Sequence, residues 1–227
     1  MSDHTTDTLI IRPLGRCDYQ HTWDAMRSWT EQRTPQTPDE IWLLEHPPVY
    51  TQGPSSTPEQ IIAPQNIPII PIDRGGQVTF HGPGQLVGYT LIDLKRKGLG
   101  PRRLVAALEN SLIALLKHYD ITAYANEKAR GVYVNGAKIA SIGLRIRKGC
   151  SYHGFALNVA MDLAPFAGIQ PCGQADITMT QINDFHPTIT CTKVRDAITP
   201  YLCQNLGHKS IAHSPGAPEY APIPHPT

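Results

Sequence analysis

The sequence predicts one domain of the mixed α/β (α+β) class, in which helices flank a mixed, largely antiparallel sheet. Strand and helix patterns are interspersed along the 227 residues, a length at the upper end of a single domain. Residues 131–161 contain three successive strand patterns joined by short turns, an arrangement that favours antiparallel pairing. The pattern therefore does not favour a doubly wound dinucleotide-binding domain.

The N-terminal half is predicted to hold one helix among short strands. The helix runs from Asp18, a candidate N-cap, to about Arg33. A proline-rich stretch over 53–68 is predicted to be a long surface loop. The strands predicted in this half lie at 9–12, 41–45, 67–72 and 88–94.

The clearest helical period of the chain covers residues 101–119. Leucines recur there every three or four positions, and Pro101 suits the first turn of a helix. A last helix is predicted at 192–206, interrupted at Pro200 and closed by Gly207. The periodic leucines, at 104, 108, 112 and 115, indicate a helix that faces the core.

Two alternating runs surround Asn135-Gly136, the dipeptide most typical of a tight hairpin, and predict a hairpin over 131–146. A third run over 151–161 follows a basic turn, so we expect an antiparallel meander. The domain is predicted to cover 1–213. The tail from Ser214 contains five prolines in fourteen residues and is predicted to be disordered.

Composition narrows the class of protein. Hydrophobic residues make up 41% and charged residues 17%, without an apolar run long enough for a membrane span or a basic N-terminal leader, so we expect a cytoplasmic protein. The five cysteines are widely spaced without a CxxC pair, which favours free thiols. Cys150 and His153 form an isolated CxxH, too few ligands for a closed zinc site, so we expect no metal.

Positive charge is concentrated in one part of the chain. Residues 91–150 carry twelve Lys and Arg against four Asp and Glu, although the whole chain has a net charge of only +1. Such a region suits an acidic partner, or is simply a solvated surface. Aromatic residues are not interleaved with these charges, which does not favour nucleic-acid binding.

The segment RGGQVTFHGPGQLVGY, residues 74–89, combines five glycines with a single charge. Glycine is needed where backbone approaches another group closely, so this segment is a candidate binding loop. It fits neither the dinucleotide pattern GxGxxG nor a phosphate-binding Walker loop. A second stretch, IASIG at 139–143, resembles part of the nucleophile-elbow pattern G-x-S-x-G but has isoleucine in place of the first glycine. It therefore does not favour a serine hydrolase.

Three motifs in order make the chain resemble a known family. They are Arg-Gly-Gly-x-x-Thr-aromatic-His-x-x-Gly-Gln from Arg74, then GVYVNGAKIASIGLRIRKGCSYHGFALNV, then PCG at 171–173. The sequence resembles the lipoyl(octanoyl) transferases of the biotin/lipoate protein ligase superfamily. The resemblance implies the catalytic-domain fold of that superfamily over 1–213.

The resemblance also implies a reaction and its partners. An octanoyl group would move from octanoyl-acyl carrier protein to a lysine of lipoyl domains, in 2-oxoacid dehydrogenases and in the glycine cleavage H protein, as the first step of endogenous protein lipoylation. A thioester donor is already activated, so we expect no ATP and no other cofactor. Membrane and nucleic-acid partners are not expected.

Two residues are expected to carry the chemistry. Cys172 stands between Pro171 and Gly173, where a turn could expose its sulfur, although a buried structural thiol fits the residues as well. Lys138 follows the Asn135-Gly136 turn and could be a solvated hairpin lysine or a base held against apolar surface. The resemblance makes Cys172 the nucleophile and Lys138 the general acid/base that favours its thiolate. Cys150, beside Arg147 and Lys148, is the competing thiol.

The resemblance also implies an acyl site. It would be lined by three small-residue stretches, namely Arg74, Gly75, Gly76, Gln77, Val78, Thr79, Phe80 and His81, then Ser141, Ile142 and Gly143, then Gly154, Phe155 and Ala156. His81 is expected to orient the substrate or to hydrogen-bond a neighbour rather than to act as a base. Two alternatives remain open: an ATP-dependent lipoate or biotin protein ligase, and a non-catalytic acyl-binding module.

Overall fold

The computed structural model describes residues 7–126, 129–170 and 177–216, and these form a mixed α/β fold with eleven strands and four α-helices. In chain order the elements are β1 (Thr8–Arg16), α1 (Tyr19–Gln32), β2 (Asp39–Glu45), β3 (Val49–Gln52), β4 (Ile69–Pro71), β5 (Val78–His81), β6 (Gln85–Leu91), α2 (Leu94–Lys97), α3 (Pro101–His118), β7 (Tyr124–Ala125), β8 (Val132–Val134), β9 (Ala137–Arg147), β10 (Cys150–Asn158), α4 (Cys191–Asn205) and β11 (Ser210–His213).

Two sheets carry these strands. The large sheet has the order β11-β1-β2-β6-β10-β9-β8-β7, and the small sheet has the order β4-β3-β5. In the large sheet β1 pairs in parallel with β2 and β11, whereas the remaining pairs are antiparallel. The prediction of a mixed, largely antiparallel sheet is confirmed.

Helices cover both faces of the large sheet, and strand alternation explains how. On β2, Ile41 and Leu43 point to one face and pack with the leucines of α3 and the apolar side of α4. Trp42 and Leu44 point to the other face and pack with Met26 of α1. The continuous apolar run of this strand is therefore buried on both sides, as its sequence predicts.

The predicted local signals are present at the helix starts. The Asp18 carboxylate accepts a hydrogen bond from the backbone N–H of His21 at 2.9 Å, which caps α1. Pro101 occupies the first turn of α3, and Leu104, Leu108 and the later leucines of that helix are fully buried.

The hairpin prediction is also confirmed. Asn135 and Gly136 have φ values of +49° and +85°, which the two central positions of a type I′ turn require, and they join β8 to β9. A second tight turn at Lys148 and Gly149 joins β9 to β10, so the expected meander is complete.

Several predictions of detail are wrong. Pro200 lies inside a continuous α4 and does not interrupt it, because Ile198 and Leu202 pack into the core on either side. The extended segment predicted over 88–94 ends at Leu91, and Asp93 caps the short helix α2. The strands β3, β5, β7 and β11 were not predicted.

The C-terminal end of the described chain returns to the first strand. β11 pairs with β1, and the Ser214 backbone N–H donates to the Ile11 carbonyl at 3.0 Å. Most of the proline-rich tail lies outside the described residues, so the domain boundary at 213 stays a prediction.

Candidate active site

A cavity of about 340 Å³ is lined by both sheets, within the range of small-molecule sites. Its floor is formed by β6, β9 and β10 of the large sheet, and β5 and the loop before it lie opposite. Thirteen of the fourteen predicted acyl-site residues line this cavity, in all three predicted stretches. Phe80 packs instead against Tyr50 and Phe166, with ring centroids 5.5 Å apart in both pairs.

The small residues are needed because two walls approach closely. The Gly75 N–H donates to the Leu144 carbonyl at 2.9 Å, which holds the loop against β9. A Cβ atom on Gly143 would lie 2.9 Å from the Gly75 carbonyl oxygen and 3.0 Å from the Arg74 Cδ, both closer than ordinary contact. The loop therefore packs directly on β9 at Gly143, where a side chain has no room, and this contact closes one side of the cavity.

Arg74 fixes the same loop to the small sheet. Its guanidinium is buried and donates to the Thr51 carbonyl and hydroxyl oxygens, each at 2.9 Å, and to the Gly75 carbonyl at 3.2 Å. Much of its hydrogen-bonding capacity is thus used within the protein, and its role in the loop is architectural as well as electrostatic.

Lys138 is buried, although it directly follows the hairpin turn. The residue is 2% exposed and lines the cavity. Its Nζ lies 5.6 Å from the ring centroid of Tyr133. Its backbone N–H donates to the Thr178 carbonyl at 2.8 Å, and its carbonyl accepts from Thr180 at 3.0 Å. The arrangement differs from a solvated hairpin lysine and makes Lys138 a buried residue of the cavity wall.

Cys172 lies outside the described residues. The chain on both sides is anchored: Gln170 donates its N–H to the Gln60 carbonyl at 2.8 Å, and Thr178 bonds the backbone of Lys138. The described chain that follows residue 176 therefore runs beside Lys138.

The four described cysteines are poor nucleophiles. Burial raises the pKa of Cys17, Cys150 and Cys203, and raises the pKa of Cys191 to about 12. The basic neighbours of Cys150 do not activate it, because Arg147 and Lys148 both form ion pairs with Glu31.

His81 is held at both ring nitrogens. Its Nδ1 lies 2.8 Å from Gln85 Oε1, and its Nε2 lies 3.3 Å from the Thr51 hydroxyl. The Gln85 amide nitrogen donates to Asn158, so its oxygen accepts from His81 Nδ1–H. Burial lowers the pKa of His81 well below its usual value, which keeps the ring neutral. His81 thus hydrogen-bonds its neighbours through both ring nitrogens, and its role toward a substrate stays a prediction.

Sequence reasoning missed part of the lining. Tyr19 stacks on His81 with centroids 5.7 Å apart, and Tyr89 bonds His46 Nε2 at 2.6 Å. Val87 and Tyr89 belong to the glycine-rich segment already singled out, and His153 belongs to the CxxH already noted, which are the signals that could have found them. The missed residues are Tyr19, Ser55, Val87, Tyr89, Ala129, Arg130 and His153.

The described ranges lack two further features. Within them, no group of three or more His, Cys, Asp or Glu side chains is arranged to hold a metal ion. No helix among these residues combines the length and the apolar character that crossing a membrane requires.

The fold, with its large mixed sheet and its small sheet, is that of the lipoate and biotin protein ligase structures. Residues 18–203 match the lipoyl protein ligase A/B catalytic domain, and the chain belongs to this family. A relative named octanoyltransferase, from Shewanella sp. (strain ANA-3), is 52% identical over 209 residues, which cover 92% of this chain and 96% of the relative. The predicted family resemblance is confirmed.

Solved structures confirm the fold. Lipoate-protein ligase A bound with ATP aligns with a TM-score of 0.76 at 14% identity, over 92% of this chain and 89% of that one. Biotin protein ligase from Aquifex aeolicus in complex with biotin and ATP aligns with a TM-score of 0.53 at 14% identity, over 87% and 69% of the two chains. At this identity the likeness concerns the fold alone.

Proposed function

We propose that the chain transfers an octanoyl group from octanoyl-acyl carrier protein to a lysine of a lipoyl domain, through a thioester on Cys172. The reaction class rests on the relatives named octanoyltransferase, which are about half identical over nearly the whole chain. The chain is accordingly an acyltransferase that acts in protein lipoylation.

The observation that carries the proposed mechanism is the buried Lys138 in the cavity. An amine so placed can exchange a proton with a neighbouring thiol without competition from bulk water. The chain that follows the Cys172 segment forms backbone bonds with Lys138 itself, which supports pairing of the two residues.

The proposed reaction has two acyl transfers. Lys138 takes the proton of Cys172, and the thiolate attacks the carbonyl carbon of the octanoyl thioester. A new carbon–sulfur bond forms, and the carrier thiol leaves with the proton that Lys138 held. In the second transfer the acceptor lysine amine attacks the Cys172 thioester and loses a proton to Lys138, and an amide forms as the cysteine thiolate leaves. No ATP is consumed, because one thioester is exchanged for another.

The described thiols support Cys172 by elimination. Burial favours the protonated form in Cys17, Cys150, Cys191 and Cys203. A nucleophilic cysteine needs a thiolate at neutral pH. Cys172 is the remaining cysteine of the chain.

The cavity suits a linear acyl chain. The loop at Gly75 packs directly on Gly143 of β9 and closes one side of the cavity, so the acyl slot is proposed to be the space enclosed between this loop and the sheet. The seven carbons beyond the octanoyl carbonyl would contribute roughly 6 kcal/mol on full burial, at about 0.8 kcal/mol per carbon.

We further propose the partners that this reaction requires. The donor is octanoyl-acyl carrier protein, and the acceptors are lipoyl domains of 2-oxoacid dehydrogenases and the glycine cleavage H protein. Arg102, Arg103 and Arg145 are exposed and suit an acidic carrier, whereas Arg96 is bound to the buried Asp39.

An ATP-dependent ligase is the second candidate, favoured by the fold shared with an ATP-bound ligase. A ligase would form an acyl-adenylate and would not need Cys172. A non-catalytic acyl-binding module would need neither Cys172 nor Lys138 for its function.

Intact-protein mass spectrometry separates these functions. Mixing the chain with octanoyl-acyl carrier protein alone, without ATP, should add one octanoyl mass to the protein. Cys172→Ala should abolish the adduct, while the matched variant Cys191→Ala should retain it. Lys138→Ala should slow adduct formation. Octanoylation of a lipoyl domain that strictly required ATP, or an adduct that persisted in Cys172→Ala, would overturn the proposal.

A further inference from the structure

Asp73 directly precedes the cavity-lining Arg74 and joins three parts of the fold. Its carboxylate accepts hydrogen bonds from the Trp23 indole Nε1 at 3.0 Å, from His153 Nε2 at 3.0 Å and from the Tyr152 hydroxyl. Trp23 belongs to α1, whereas Tyr152 and His153 belong to β10. The loop that covers the cavity is thus tied both to α1 and to the strand beneath it.

His153 adopts an uncommon conformation to reach Asp73. Its φ is +58° in the middle of β10, a region that side chains other than glycine enter only at a steric cost. Successive side chains of a regular strand point to opposite faces, but here the rings of Tyr152 and His153 stack, with centroids 5.1 Å apart and planes 27° apart. Strain of this kind persists where surrounding contacts determine it, and Asp73 supplies such contacts.

The charges of the pair are defined at neutral pH. Burial alone would raise the pKa of Asp73, but the hydrogen bonds from His153 and Tyr152 hold it below its usual value. Burial lowers the pKa of His153 despite the facing carboxylate. The pair is therefore a carboxylate that accepts from a neutral imidazole whose proton lies on Nε2.

Each partner is followed by a cavity wall. Asp73 leads into Arg74, Gly75 and Gly76 of the covering loop, and His153 leads into the stretch 154–156 of β10. A second tie, from the Gly75 N–H to the Leu144 carbonyl, holds the loop to β9. The two ties together fix the height of the loop above two adjacent strands of the sheet.

We propose that Asp73 and His153 form a positioning pair that sets the width of the acyl slot. This inference rests on the proposed function, since it assigns the pair to acyl recognition in the same cavity. Neither residue is required to touch the reacting thioester. When the tie is lost, the loop can rise, the slot widens, and a straight chain loses contacts while a branched chain gains room.

The readout is therefore the preference for a straight over a branched acyl group. We expect wild type to use octanoyl-acyl carrier protein at least ~10-fold better, in kcat/KM, than the 4-methyloctanoyl donor, because a methyl branch must be forced into the narrow slot. His153→Gly should reduce this preference at least ~5-fold, with a raised KM for the octanoyl donor and a smaller change in kcat.

Three further variants separate positioning from folding. His153→Ala removes the same imidazole but keeps the strained φ, so it should lose the same preference while unfolding at a lower temperature than His153→Gly. Asp73→Asn keeps an acceptor oxygen and should show an intermediate preference. His21→Ala changes an exposed histidine of α1 and should behave as wild type.

Binding of free octanoic and 4-methyloctanoic acids, measured by calorimetry, makes the test independent of turnover. A wild-type protein that binds octanoic acid but does not octanoylate a lipoyl domain would overturn the proposed function alone. The positioning pair would be overturned if His153→Gly and Asp73→Asn both kept the wild-type preference for the straight acyl group over the branched one. This holds for the preference measured in turnover or in binding. A wild type that neither binds octanoic acid nor octanoylates a lipoyl domain would overturn both.

Discussion

Replacement of Gly143 by alanine tests whether the close approach of two walls governs acyl transfer. The new Cβ would lie 2.9 Å from the Gly75 carbonyl oxygen and 3.0 Å from the Arg74 Cδ. Ordinary contact between non-bonded heavy atoms is about 3.5–4.0 Å, so the loop must move by roughly half an ångström or more. Gly143 lies in β9 and is paired in register with Gly154 of the adjacent strand β10, which leaves the loop as the part that yields.

Overpacking of this kind costs typically 1–3 kcal/mol. If the whole cost is felt when the acyl group occupies the slot, kcat/KM should fall by roughly 5- to 150-fold, at about 1.4 kcal/mol per tenfold change. The assay follows initial rates of lipoyl-domain octanoylation against donor concentration. Thermal unfolding of the same protein reports how much of the cost is felt by the empty enzyme.

Gly100→Ala is the matched control. A Cβ on Gly100 meets nothing within 4 Å, and the residue has a φ of −90° at the start of α3, so kcat/KM should be unchanged. Wild-type kcat/KM and wild-type unfolding temperature in Gly143→Ala would show that the loop yields without cost. That result would refute the inference that the close packing of the loop on β9, and with it the shape of the acyl slot, depends on the absence of a side chain at Gly143.

Three other predictions concern pH, helix continuity and charge. Burial lowers the pKa of His46 to about 4 from an unfolded value near 6.5, so the unfolded chain binds the extra proton first as pH falls. Through this residue, the free energy of unfolding should drop by up to about 3 kcal/mol between pH 6.5 and 4. Urea unfolding at several pH values should show a smaller drop for His46→Gln than for wild type. The same drop in both proteins would contradict the assignment. Pro200→Ala should raise the free energy of unfolding by about 1–3 kcal/mol, since it restores a helical N–H inside α4, and a lowered urea midpoint would count against this. Arg145→Glu should raise the KM for octanoyl-acyl carrier protein about fivefold at low salt, and an effect that does not shrink as salt is added would remove Arg145 from carrier docking.

Features encoded by neighbouring residues could be predicted. The Asp18 cap, the leucine period of α3 and the Asn135-Gly136 turn each act within a few positions of the chain, and each is present in the structure. The three small-residue stretches were recognised as motifs, and thirteen of their fourteen residues line one cavity.

Features that depend on distant partners could not be predicted in the same way. β11 is a short strand whose partner, β1, lies about two hundred positions earlier. Pro200 breaks the local rule for helices, yet α4 continues because it packs against α3 and the sheet. The sequence left two interpretations of Lys138, a solvated hairpin lysine and a lysine held against apolar surface. The first is excluded because Lys138 is buried in the folded chain.

The sequence by itself determined the turns, the caps, the faces of the main helices and the membership of the family, because those signals are local or are carried by ordered motifs. Only the tertiary structure decided which side chains meet around the cavity. Tyr19 stacks on His81, and His153 bonds Asp73, across separations of sixty to eighty positions. Sheet register and the packing of two sheets set such contacts, and both are properties of the whole chain rather than of any short stretch.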